Sequence, residues 1–198
     1  MNLNALPGDI FSSVMRVIVA ATVAWLACIA FGMLLHRYRK LYQICLPAIN
    51  FIRQISPFVW LPFAIIFIGL GELPIAVVLF IAMFFPGVIM MYETIESFPQ
   101  DVYEEALTSG ANHWQIFFSI KLPILWGQIV NILRILWSVG WSTVIAAEML
   151  GISRGLGFRL LDFRYLMEYK YMLVYILVIG CIGIFSDLLI RRLGRIYN

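Results

Sequence analysis

Enzymatic chemistry needs particular side chains at working separations, and in this sequence most of the usual sets are missing. The two histidines, His36 and His113, lie in separate polar stretches, and neither has a partner at metal-ligand or triad spacing. The lysines are Lys40, Lys121 and Lys170, and none follows a glycine in the Gly-Lys-Ser/Thr order of a phosphate loop. Cys28, Cys45 and Cys181 are odd in number and far apart, so they give no disulfide framework. The chain is therefore expected to be non-enzymatic, with no metal or cofactor of its own. Charged residues stand out in two places instead. Glu93, Glu96, Asp101, Glu104, Glu105, His113 and Lys121 fall within one long hydrophilic stretch, 92–123, while Arg134, Glu148 and Asp187 lie in or beside apolar runs.

Arg134 comes 11 residues after Pro123, which is about 16 Å along a helix. An arginine at that depth in an apolar span is costly unless it faces water or a partner. At about 100° per residue, Trp137, Trp141, Ile145 and Glu148 share its side of the helix, with Ser138 and Ser142 on the flank. Two readings of the stripe stand: a path for an anionic or polar solute, or a structural arginine bonded to neighbouring carbonyls. Arg134 and Glu148 are about 21 Å apart along a straight helix, so they do not pair with each other. Glu148 is expected at the outer end of the helix, reaching water, as a structural end or as a contact for an external binding protein. Asp187 is expected to pair with Arg191 one turn on.

The elements that carry these residues are set by composition. Soluble domains are about 45–50% apolar and about 25% charged; this chain of 198 residues is 63% hydrophobic and 13% charged. Lipid must therefore be the solvent for much of its surface. The net charge of +3 is scattered at the ends of apolar runs, which argues against nucleic-acid binding. The reading is an all-α polytopic membrane protein, one domain over 1–198, with spans near 10–35, 50–70, 73–91, 124–150 and 171–190. Residues 41–56, broken up by Pro47, Asn50, Arg53 and Gln54, suit a segment at the interface that feeds the second span, which enters near Pro47 and tolerates Pro57 and Pro62 within a bundle. The start lacks a basic region and a cleavage site, so no removable signal peptide is expected. Arg37, Arg39 and Lys40 fall on the same side as Arg191, Arg192 and Arg195, which places that side, the 92–123 loop and the C-terminus in the cytoplasm and the N-terminus outside.

Within the loop, Pro99 suits a first helical position, and Asp101, Glu104 and Glu105 suit the first turns of a short helix. Gly110 suits its C-terminal cap. A second amphipathic stretch carries Trp114, Ile116, Phe117 and Ile120 up to Leu122-Pro123. By composition alone such a loop is a solvated acidic connection. Its spacing points elsewhere: Glu104-Glu105-Ala106, three residues, Gly110, nine residues, Ile120, one residue, Leu122-Pro123. This resembles the cytoplasmic loop of the inner-membrane permeases of binding-protein-dependent ABC importers, with Glu105 where that family usually has Ala. The resemblance continues from Ser56-Pro57 to Gly71-Glu72 and through Ala146-Ala147-Glu148-Met149, and is nearest the group importing nitrate, sulfonates, taurine, bicarbonate or thiamine precursors.

The resemblance implies an ABC importer type I permease fold, with the loop, at Glu104, Glu105, Ala106, Gly110, Ile120, Leu122 and Pro123, docked on a separate ATPase that binds the ATP. It also implies a second permease subunit, expected as a homodimer, and an external solute-binding protein. Many relatives in the group have six spans, so an N-terminal helix is expected to be missing here. The alternatives are a passive channel, a membrane scaffold, or a permease for another cargo such as an amino acid, phosphonate or metal.

Overall fold

The computed structural model describes residues 3–194, so Arg195 and the C-terminal Asn198 lie outside the described residues. A short 3-10 turn, Leu3–Ala5, leads into α1, Leu6–Arg37. Then follow α2, Arg39–Gln54; α3, Pro57–Ile68; and α4, Glu72–Glu96. The loop helices are α5, Gln100–Thr108, and α6, His113–Ile116. A π-helical segment, Phe117–Lys121, joins α6 to α7, Leu122–Gly151. The chain then forms α8, Leu156–Tyr165, and α9, Tyr169–Gly194.

Four helices are long and apolar enough to cross a membrane, or five if α2 and α3 together count as one span. Residues 41–56, read as an interfacial segment feeding the second span, fall mostly in α2, which meets α3 at a bend of 92°. The cause is local. Ile55 and Ser56 adopt extended backbone (ψ 125° and 133°) ahead of Pro57, and a residue before proline is pushed out of the helical region. α2, with Arg39, Lys40, Asn50, Arg53 and Gln54, has an amphipathic surface, whereas α3 is apolar nearly all round. Two bounds shift. α4 continues to Glu96, past the expected end at 91, and the 151–170 connection contains the helix α8.

The core is a three-helix packing of α1, α4 and α7, with α9 laid on α7 and α8. In lipid, helix association depends on close van der Waals contact, so small residues gather at the crossings. Ala20, Ala21, Ala24, Cys28 and Gly32 form the buried stripe of α1. A Cβ at Gly32 would fall 2.6 Å from Met91, one at Gly87 2.6 Å from Cys28, and one at Gly140 2.8 Å from Met83. These three glycines thus set the spacing of the core helices. By contrast α3 and α9 carry many exposed apolar side chains, among them Phe63, Phe67, Leu177 and Phe185.

Candidate functional site

The loop between α4 and α7 is built from local rules. Pro99 is not the first helical residue, as expected, but the N-cap, with extended backbone (φ −61°, ψ 122°). α5 ends at Ser109, where the Gly110 N–H donates to Leu107 O (3.0 Å) and the Ala111 N–H donates to Ala106 O (3.1 Å). This pair of bonds is a Schellman cap, and it requires the left-handed backbone that Gly110 adopts at φ 86°. One residue on, Asn112 accepts from the Gln115 N–H (2.8 Å) while the Asn112 N–H donates to Gln115 Oε1 (2.9 Å), a capping box that starts α6. Two helices are therefore joined at a fixed angle by a turn with both ends hydrogen-bonded. Glu104 and Glu105 are exposed, and Ala106 is buried. Leu107, Trp114 and Phe118 present apolar surface outward, the last two stacked with ring centroids 6.0 Å apart. Ile120, Leu122 and Pro123 are half-buried where the loop enters α7.

The stripe drawn from Arg134 to Glu148 turns largely inward within the chain. Trp137 and Trp141 are buried and stacked, with centroids 6.3 Å apart, and the Trp141 indole N–H donates to Ile179 O (3.2 Å). Arg134 pairs with Asp187 of α9 through Nε and Nη2, so Asp187 does not pair with Arg191 as expected. Glu148 is fully buried rather than at a wet helix end. Its carboxylate accepts from the Ser13 hydroxyl (2.8 Å), the Gly157 N–H (2.9 Å) and Arg16 Nη1 (2.5 Å). Arg16 donates in turn to Glu72, whose side chain is 65% exposed, and to Arg154 O. A second cluster lies beside it, where Asp9 accepts from Arg159 (3.2 Å) and from the Tyr175 hydroxyl (3.0 Å). These contacts tie α1, α4, α7, α8 and α9 together at the end of the bundle away from α5.

Sequence reasoning missed Asp9, Ser13 and Arg16 as members of this network. The available signal was a charge interrupting an apolar run, which in a membrane span marks a paired residue. It also missed Gln128 and Asn131, which extend the flank of Ser138 and Ser142 along α7. Gln128, Asn131, Ser138 and Ser142 recur at helical spacing and are exposed, so they form one outward polar stripe on a spanning helix. Clefts flank the lower half of that stripe. One of about 380 Å³ is lined by Glu93, Thr94, Ser97, Gln128 and Asn131. The other, about 270 Å³, is lined by Asn131, Arg134 and Arg191. Among the described residues no group of three or more His, Cys, Asp or Glu side chains is placed to hold a metal.

Spanning helices with a polar outward face, joined to a rigid helical loop at one end, define a polytopic membrane protein of the transporter class. The chain belongs to the binding-protein-dependent transport system inner membrane component family, whose model matches residues 9–196. A probable ABC transporter permease protein of Brucella melitensis is 30% identical over 96% of this chain and 77% of its own length. The taurine transport system permease protein of Escherichia coli is 30% identical over 93% and 67%. A nitrate import permease protein of Synechocystis is 29% identical over 90% and 65%. Among solved structures, an inward-facing conformation of the MetNI methionine ABC transporter superposes with a TM-score of 0.84 at 18% identity, covering 98% of this chain and 96% of that one. This likeness establishes the shared fold.

Proposed function

We propose that this permease forms half of the solute path of an ATP-driven importer and receives its power stroke through α5. The carrying observation is the loop geometry: an exposed short helix held at a fixed angle by the Gly110 cap and the Asn112 capping box, continuous through the π segment with spanning helix α7. A partner that grips Glu104, Glu105, Leu107 and Trp114 moves α7 as a lever. The partner is an ATPase subunit, which holds the ATP, and an external binding protein delivers the solute. A second copy of this chain closes the path against the polar stripe of α7, with Asn131, Ser138 and Ser142 rather than Trp137 and Trp141 facing solute. On this reading α5 and the C-terminus lie in the cytoplasm and the N-terminus outside, as the basic residues of alternate loops support.

The cargo on this reading is a small anion or polar organic solute. The names of the taurine and nitrate relatives support that class. Liposomes holding the chain with its ATPase and binding protein test it. ATP-dependent accumulation of one such anion is expected, lost in Asn131→Leu. Equilibration without ATP would instead mark a passive channel.

A further inference from the structure

A groove on the opposite side of α7 from the polar stripe has a different composition. Ile29 and Met33 of α1 form one wall, and Leu125 and Ile129 of α7 form the other. By helical rotation Leu125 and Ile129 point well over 90° away from Asn131 and Ser138, so the groove is separate from the proposed path. Its deep end is closed by Trp25, whose indole N–H donates to Ile129 O (3.2 Å). Its other end is a rim formed by Arg37, the last residue of α1, and Lys121, the last of the π segment. From Trp25 to Arg37 is about 18 Å along the helix, close to the roughly 15 Å of one hydrocarbon leaflet. The volume is about 300 Å³, twice the roughly 150 Å³ that accepts a benzene ring in an engineered cavity.

The rim is positively charged. The nearby carboxylate, Glu96, lies 3.0 Å from His36 Nδ1 and 3.9 Å from Arg39. Arg37 and Lys121 are in no close ion pair among the described residues, although Glu96 acts on Lys121 at longer range; Arg37 lies over the Tyr38 ring and Lys121 over Phe98 at 5.3 Å. An apolar slot one leaflet long, ending in two cations that form no close ion pair among the described residues, has the chemistry of a lipid with an acyl chain and a negative headgroup. We infer that this groove is a binding site for an anionic phospholipid of the surrounding bilayer, with the acyl chain between α1 and α7 and the phosphate between Arg37 and Lys121. The lipid then lies against the π segment that links the loop helices to α7.

Trp25 supplies a probe. The full chain is reconstituted in phosphatidylcholine vesicles containing a minor fraction of phosphatidylglycerol, with bromine on the acyl chains of one lipid or the other, and tryptophan quenching is measured. Brominated phosphatidylglycerol is expected to quench beyond its share of the bilayer, with the excess reduced in Trp25→Phe and absent in Trp25→Phe/Trp126→Phe, which removes both tryptophans that line the groove. Each neutralised cation should lower the preference about five-fold, so Arg37→Gln/Lys121→Gln loses the excess, whereas the charge-keeping swap Arg37→Lys/Lys121→Arg retains it. If the doubly neutral variant does not reach the membrane, Lys121→Gln alone decides. Quenching by both lipids in proportion to their amounts, or an excess that survives neutralisation, overturns the proposal. So does a Trp25 that neither lipid quenches, which would assign the groove to contact with a second copy of the chain.

Discussion

Gly110 holds φ at 86° with open space where a side chain would project, so substitution there strains the backbone without creating a clash. The strain is about 1–2 kcal/mol for any L residue and more for a β-branched one, too little to unfold a bundle but enough to reopen the cap. Gly110→Val is expected to insert in the membrane yet bind its ATPase weakly or fail to drive uptake, with Gly110→Ala intermediate. Copurification of the ATPase and uptake, measured together, check this; normal coupling in both variants would reduce the loop to a connection. Glu148 and Glu72 provide a second contrast, since one guanidinium serves a fully buried and a largely exposed carboxylate. Removing one partner of a buried pair costs about 3 kcal/mol, and an exposed pair is worth under about 1 kcal/mol. Glu148→Gln should therefore lower the thermal midpoint in detergent far more than Glu72→Gln. Equal shifts would show that burial does not separate the two.

Between helices, Arg134 and Asp187 form a clasp from α7 to α9. Arg134→Ala and Asp187→Ala are each expected to weaken the packing, and the double variant to be no worse than either alone. Additive losses in thermal stability would deny the pairing. A second joint is tighter, because a Cβ on Gly157 would overlap the carbonyl oxygen of Ile145. Gly157→Ala should prevent α8 from seating on α7, whereas Gly180→Ala, with nothing within 4 Å, should be silent. These elements also show where sequence reasoning runs out. The α5 helix and its Gly110 turn are legible because a cap is made by a few consecutive residues. The Arg16–Glu148 contact spans 132 residues and Arg134–Asp187 spans 53; their partners are chosen by helix packing, which periodicity along one helix does not contain. Asp187 shows the cost, since Arg191 at helical spacing was the local choice and a residue on another helix won. The break before Pro57 is legible for the same reason as the Gly110 turn, since polar residues and prolines up to Ser56 mark an interfacial segment ahead of the apolar run. Helix α8 lay hidden among glycines and arginines that read as loop.

Across the whole molecule the alternating spans make topology a direct measurement. A reporter inserted within 99–122 should read cytoplasmic and one within 153–170 external; an external signal from the first would remove the basis for an ATPase contact. The elbow between α2 and α3 has a consequence of another kind. Its 12-residue arm, Pro57–Ile68, is about 18 Å long, whereas the hydrocarbon layer is about 30 Å thick, and α4 beside it has 25 residues. Where lipid covers Phe63, Ile66 and Phe67 on the exposed surface of this arm, the protein is thin along that flank and the bilayer compresses to meet it. Such mismatch costs fractions of a kcal/mol per Å, so bilayer thickness becomes a variable that acts on this flank alone, leaning the molecule in thick membranes and relaxing it in thin ones.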